Sequence, residues 1–248
     1  MATLVTGAFG CIGSWVVRDL LVAGERPVAF DLGDDPWRMR MIAGADVASR
    51  VTIVRGDIAD RDAVVRVVRD HGIRRIVHLA AWQIPLCRQD PSRGALINVV
   101  GTANVFEAAR ANEGRVERVV YASSAAVFGA PDLYPPGPIK DDAPRYPATH
   151  YGVYKVANEE TARVYNLHGA STVIAGLVRK LEGARPNATG LITHVEQPIP
   201  FPAALDDARY QKDLGPAPPT SLADGIKKTL DGFARLRAEG RLDARELA

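Results

Sequence analysis

Cysteine is scarce in this chain: two residues, Cys11 and Cys87, in 248. That is too few for a disulfide framework, and neither has a metal-ligand neighbour at a useful spacing. The five histidines, His71, His78, His150, His168 and His194, also lack paired metal spacing, so no metal site is expected. Charge of one sign is not in excess: 31 basic against 29 acidic residues leave a formal net charge of +2. The basic residues are scattered and form no stripe that could track phosphates, so no nucleic-acid partner is expected. No apolar run reaches membrane-spanning length. Met1-Ala2-Thr3-Leu4-Val5 enters a strand-like run with no basic segment ahead of it, so no signal peptide is expected. Internal repeats and low-complexity tracts are absent too. Together these absences predict a soluble, cytoplasmic chain.

What is present is a 47% hydrophobic sequence, enough at this length to bury one large core. Short β-branched runs alternate with longer amphipathic stretches. Strands are expected at Leu4–Val5, Pro27–Phe30, Val51–Val54, Ile76–Leu79 and Val116–Ala122. Helices are expected at Ile12–Val22 (apolar at Trp15, Val16, Leu20 and Val22), Ala63–Asp70, Asn98–Ala111 and Tyr151–Tyr165. This alternation predicts an α/β fold: a Rossmann-type, doubly wound parallel sheet with helices on both faces. Six prolines between Ala130 and Ala148 exclude a helix or central strand there and predict a long functional loop. In the last third, Ser171–Val178 reads as a strand or as the start of a helix, and Leu191–Val195 as a strand. Ser221 reads as the cap of a helix over Ala223–Arg237.

Thr6-Gly7-Ala8-Phe9-Gly10-Cys11-Ile12-Gly13 lies between the first strand and the first helix. Gly7, Gly10 and Gly13 at this spacing suit a dinucleotide loop: one glycine turns, one admits the pyrophosphate, one packs helix on strand. The helix N-terminus then favours the phosphate charge. Asp31 ends the second strand, where a carboxylate accepts the ribose hydroxyls of NAD and repels the 2′-phosphate of NADP. NAD is the expected cofactor.

Tyr151 and Lys155 are four residues apart at the start of a helix and share a face, with Tyr154 as a competing phenol. A lysine ammonium and the positive helix end favour a phenolate, which makes a tyrosine a usable acid–base for a carbinol oxygen. Ser123 and Ser124 follow the fifth strand at the sheet edge where open α/β folds bind ligands. Trp82 either lines the substrate cleft or packs in the core, and His150 either touches substrate or simply starts its helix.

These motifs continue in order: Gly56-Asp57-Ile58, His78-Leu79-Ala80-Ala81, Asn98-Val99-x-Gly101-Thr102, Ser123-Ser124-Ala125-Ala126-Val127-Phe128-Gly129 and Tyr151-Gly152-x-Tyr154-Lys155. Over residues 1–169 the chain resembles the extended short-chain dehydrogenase/reductase superfamily, in its NAD-dependent epimerase/dehydratase branch. The resemblance implies that Ser124, Tyr151 and Lys155 are catalytic and that Ser123 lines the site. Asp57 and Ile58 would flank the adenine, and Leu79, Ala80 and Ala81 would line the cofactor. It also implies cofactor contact for Phe9, Cys11, Ile12 and Ala122 in the loop and strand end, and a supporting role for Asn98. The helices of Asn98 and Tyr151 would pair across a homodimer axis, for which Val105, Ala108, Val156 and Ala162 are available, although these also suit a monomer core.

Residues 170–248 depart from the family pattern, with only Gly176-Leu177-Val178-Arg179-Lys180 where an Arg-Pro strand end is usual. The chain therefore reads as one domain, with a cofactor core over 1–169 and a shortened substrate-side segment over 170–248. The expected activity is oxidation of a secondary alcohol on a nucleotide sugar, sugar or sugar acid, either as net dehydrogenation or within epimerisation. Dehydration is expected less, because Asp132, Asp141 and Asp142 do not adjoin Ser124. The competing reading is a non-catalytic NAD-binding or redox-sensing protein.

Overall fold

The computed structural model describes residues 2–112, 115–140, 142–167, 172–175 and 222–240. Within them, six strands form one parallel sheet: β1 (Ala2–Thr6), β2 (Arg26–Asp31), β3 (Thr52–Arg55), β4 (Arg75–His78), β5 (Arg118–Ala122) and β6 (Thr172–Ala175), in the order β3-β2-β1-β4-β5-β6. The register is continuous, with Leu4 between Val28 and Ile76, and Thr6 between Phe30 and His78. This is the doubly wound fold expected from the sequence. Chain direction across the sheet reverses between β1 and β4, so the ends of these two strands form the crevice where such folds bind ligands.

The two-residue period of the strands sorts side chains to opposite faces. Leu4, Val28, Phe30, Ile76, Val119 and Tyr121 face one core, shared with Val64, Val68, Val105, Phe106 and Ala162 from three helices. These helices are α4 (Arg61–Asp70), α7 (Gly101–Ala111) and α8 (His150–Leu167). Val5 and Ala29 face the other core, with Val17 of α1 (Cys11–Val22), Met39 of α2 (Trp37–Ala43) and Val47 of α3 (Val47–Arg50). Central strands buried on both faces account for the unbroken apolar runs in the sequence. Val105, Ala108 and Ala162 belong to the core of this chain, each at most 1% exposed.

Three details depart from the sequence expectation. First, α1 buries Gly13, Ser14 and Val17 and leaves Trp15 and Val22 exposed, with the Arg18 guanidinium 4.8 Å over the Trp15 ring. Second, α2, α3, α5 (Ile84–Gln89) and α6 (Pro91–Ala95) occupy segments read as connections. Third, the helix expected from Asn98 begins at Pro91 and runs through a π turn, Leu96–Val100, before α7.

The chain divides into two compact units, Met1–Ala130 with Pro144–Leu177, and Pro131–Ala143 with Val178–Ala248. The first holds the sheet. In the second, a short 3-10 turn spans Pro131–Leu133 and a helix spans Leu222–Ala238, close to the one read from the sequence. The expected strand at Leu191–Val195 and the cap Ser221 lie outside the described residues.

Candidate active site

Every strand end that matters here points one way, because a parallel sheet gathers its carboxyl ends on one edge. The loop leaving β1 turns at Gly7, whose φ of +67° favours glycine, and its N–H donates to Phe30 O at 2.9 Å. A Cβ on Gly7 would lie 2.7 Å from Ala80 N, and one on Gly13 would lie 2.2 Å from Gly7 O. The loop is thus packed to its backbone on the sheet side. Gly10 caps α1 and has no side chain to accept from the first-turn amides, so the helix start carries no side-chain cap among the described residues. Bare backbone and an uncapped helix start fit a pyrophosphate.

Asp31 accepts from the Phe9 N–H at 2.9 Å and from the Gly33 N–H at 3.0 Å, one bond to each carboxylate oxygen. A carboxylate has about four acceptor positions, so ribose hydroxyls can still be received. Arg38 donates to Phe9 O at 3.3 Å, which places both polar groups of Phe9 under side-chain control. Asp57 accepts from Ala59 N–H at 2.8 Å, and Asn104 Nδ2 donates to Ile58 O at 3.0 Å, so α7 braces this turn.

At the switch point, Thr6 and His78 meet across β1 and β4. The Thr102 hydroxyl donates to Asn98 O at 2.6 Å, which leaves its oxygen to accept from His78 Nε2 at 3.0 Å. His78 Nδ1 is then the bare nitrogen and accepts from the Thr6 hydroxyl at 2.7 Å. Thr6 Oγ1 in turn accepts from the Leu79 and Ala80 amides at 3.2 and 3.3 Å. Burial, with the Lys155 charge adding to it, pushes His78 down to about 3, consistent with a neutral ring.

Asn98, in the π turn, continues this network. Its Oδ1 accepts from Trp82 N–H at 2.7 Å and its Nδ2 donates to Trp82 O at 3.0 Å, so its side chain closes on one residue like a paired strand. Asn158 Nδ2 of α8 donates to Asn98 O at 2.9 Å. Trp82 is half-buried, and the Arg93 guanidinium lies 5.4 Å from its ring centroid. Cys87 is fully buried beside it, and burial raises its thiol.

β5 brings in the third part. Lys155 Nζ donates to Ala122 O at 2.7 Å and lies 5.5 Å from the Tyr151 ring centroid. Burial lowers Lys155 to about 8. Ser124 caps a 3-10 turn, accepting from Ala126 N–H at 3.2 Å, and its side chain lies near enough to the Tyr151 phenol to favour the phenolate. Burial nevertheless raises Tyr151, with Ser124 opposing it. The phenol therefore lies above its ordinary value, not below it as the Tyr/Lys spacing suggested; desolvation outweighs the lowering effect of Ser124. Gly152 lets α8 close on this turn, since a Cβ there would lie 2.1 Å from Ala126 O. Tyr154, the competing phenol, donates to Pro91 O at 2.7 Å and is tied to α6.

The structure also adds residues that no motif marked. Ser123 donates to Glu159 Oε1 at 2.5 Å, and Arg145 of the proline-rich loop meets Glu159 Oε2 at 3.2 Å. Glu159 stands four residues beyond Lys155, and that spacing was the available signal. Among the described residues no group of His, Cys, Asp or Glu is arranged to hold a metal.

The NAD dependent epimerase/dehydratase family model matches residues 3–199. The chain belongs to this family. Among curated epimerase/dehydratase relatives, a UDP-glucose 4-epimerase of Mycolicibacterium smegmatis is 38% identical over 66% of this chain and 51% of that protein. One from Azospirillum brasilense is 32% identical over 92% of this chain and 62% of that protein. Among solved structures, the Thermus thermophilus UDP-glucose 4-epimerase in complex with NAD superposes with a TM-score of 0.61 and 30% identity, over 70% of this chain and 54% of that one. The chain thus spans about half to three-fifths of the length of these family members.

Proposed function

We propose that this protein is an NAD-dependent epimerase or dehydrogenase acting on a secondary alcohol of a nucleotide sugar, with Tyr151, Lys155 and Ser124 as its catalytic residues. One observation carries the reading: at the end of β5, Lys155 is pinned to Ala122 O and its ammonium lies 5.5 Å from the Tyr151 ring centroid, beside the Ser124 turn. The curated relatives named UDP-glucose 4-epimerase point to a UDP-hexose as substrate.

The Gly7–Gly13 loop, the uncapped start of α1 and Asp31 would hold NAD at pyrophosphate and ribose. Phe9, Cys11 and Ile12 belong to that loop, while Asp57, Ile58 and Leu79–Ala81 would border the adenine and nicotinamide halves. When bound, NAD supplies the acceptor for the hydrogen leaving the carbinol carbon. Tyr151 takes the hydroxyl proton as the alcohol becomes a carbonyl and returns it in the reverse step. Ser124 donates to the same oxygen, and the Lys155 ammonium stabilises the phenolate that Tyr151 becomes. Burial favours the protonated phenol at rest, the form that delivers a proton to a carbonyl.

Residues 1–169 serve as the cofactor-binding core and residues 170–248 belong to the substrate side. A homodimer is part of the proposal: Leu96, Val100 and Val153 are each more than two-fifths exposed on the Asn98 and Tyr151 helices. A cytoplasmic location accords with the absence of a membrane-length apolar helix among the described residues.

The test is incubation of the full chain with NAD and UDP-glucose, UDP-galactose or their uronic acids, following NADH and epimer formation separately. Epimer without net NADH marks an epimerase, and net NADH a dehydrogenase. Tyr151→Phe should lower turnover by roughly 10²–10⁴-fold with NAD affinity kept. Unchanged function in that variant would favour an NAD-binding sensor.

A further inference from the structure

The catalytic face of α8 continues past the lysine: Tyr151, Lys155 and Glu159 are successive residues of one i, i+4 stripe. Glu159 is not a solvated helix carboxylate. Its side chain is 16% exposed, and both oxygens are occupied, one by the Ser123 hydroxyl at 2.5 Å and the other by Arg145 Nε at 3.2 Å. Each bond reaches a different segment: Ser123 follows β5 next to Ser124, and Arg145 lies in the loop entering α8, with its guanidinium 4.7 Å over the Phe128 ring. We propose that Glu159 is a positioning residue of this site: its carboxylate holds the Ser123–Ser124 turn against α8 and keeps the neighbouring Lys155 side chain in its ammonium form.

The inference rests on the catalytic roles proposed for Ser124, Tyr151 and Lys155. Lys155 is 6% exposed and its ammonium donates to a neutral carbonyl, Ala122 O. An ammonium in such a place needs a nearby anion, or burial will neutralise it. The charged and titratable groups around the pair are few. Cys87 and Glu159 favour the Lys155 cation, and of these the thiol is itself pushed towards its neutral form by burial. His78 is neutral on the β4 side. From β5, the buried Tyr121 hydroxyl feels both Glu159 and Arg145 and makes no hydrogen bond among the described residues. Glu160 adjoins Glu159 on the exposed side, paired with Arg163. Glu159 is therefore the one carboxylate placed to act on Lys155 among these neighbours, and the Ser123 and Arg145 bonds stop it from turning away.

The test reads Lys155 directly, by the titration of its [13Cε] signal in lysine-labelled full-length protein, assigned with Lys155→Arg. In the wild type the midpoint is expected near 8. Glu159→Gln should lower it by about one pH unit. Arg145→Gln, which removes the other anchor but leaves the carboxylate, should leave the midpoint unchanged or raise it. A midpoint that falls only in Glu159→Gln cannot come from general loosening of the fold, which would lower it in both variants. In turnover, the basic limb of the kcat profile should shift down in Glu159→Gln and recover in Glu159→Asp, with the KM for NAD unchanged. A Lys155 midpoint that does not move in Glu159→Gln, or that moves alike in both variants, overturns the inference. Absence of any turnover with UDP-hexoses would instead count against the proposed function and leave the lysine titration to decide this point.

Discussion

Replacing His78 with asparagine should flatten the acid side of the stability profile. The ring sits at the junction of β1 and β4 with both nitrogens committed, Nδ1 as acceptor from Thr6 and Nε2 as donor to Thr102. Protonation would put a second N–H against a threonine oxygen that already receives two amides. The folded chain therefore resists the proton, with the ring pushed from 6.5 down to about 3. The unfolded chain binds it first, so unfolding takes up a proton throughout that window and stability falls as pH falls. With these two values, linkage gives a loss of about 2 kcal/mol between pH 7 and pH 5 from this residue. That interval lies above the range where most carboxylates titrate, which separates the histidine effect from acid denaturation in general. Urea unfolding followed by far-ultraviolet circular dichroism at several pH values measures it. Asparagine retains an acceptor near the Nδ1 position and titrates nowhere in the interval. The variant should start lower at pH 7, by about 1–3 kcal/mol for the lost Thr102 bond, and then lose about 2 kcal/mol less on acidification. Equal slopes for the two proteins would refute the neutral buried ring and the hydrogen-bond directions deduced from it.

Gly13→Ala must displace the loop, because its Cβ would come within 2.2 Å of Gly7 O. A strain of about 1–3 kcal/mol should weaken NAD roughly ten- to hundred-fold in a calorimetric titration. Asp31→Asn keeps the shape but removes the charge and one of two acceptors that serve Phe9 and Gly33. NAD affinity should drop and the preference over NADP should narrow in paired titrations. Asn98→Ala strands both Trp82 backbone groups at once, and thermal unfolding should show a loss of about 2–4 kcal/mol.

Much of the fold was legible because its strongest signals are local. The apolar runs of β1, β2 and β4, the glycines after β1 and the acid after β2 each have a period or spacing that admits few other structures. The helices α2 and α6 were not legible for the opposite reason. Trp37-Arg-Met-Arg-Met-Ile alternates apolar and basic residues at the spacing of a strand, and only tertiary contact around Met39 makes it a helix. Asp90-Pro91 did carry a start signal: the Asp90 side chain accepts from Arg93 N–H with proline at the first helical position. The π turn had no such sign. In the site, Ser124, Tyr151 and Lys155 could be named from their motifs, whereas the phenol's upward shift could not, since burial is set by residues far away in sequence. Arg145 was hidden because an ion pair across 14 positions leaves no pattern along the chain, and Glu159 offered only its four-residue spacing from Lys155.

The π turn at Leu96–Val100 makes the length of this helix more constrained than its composition. A wide turn carries one residue beyond the regular winding, and each residue of an α-helix corresponds to about 100° of rotation. Excising Val99 would let the segment heal into an unbroken α-helix and would turn everything upstream of the cut by that angle. Asn98 would then swing off Trp82, and Gly94, whose missing Cβ leaves room for the Tyr154 ring and Cys87, would present a different side chain there. The exposed positions along Pro91–Ala111, such as Ser92, Arg93 and Arg110, can change residue type at modest cost, but the number of residues between Gly94 and Thr102 works as a ruler that keeps the cofactor edge and the tyrosine helix in phase.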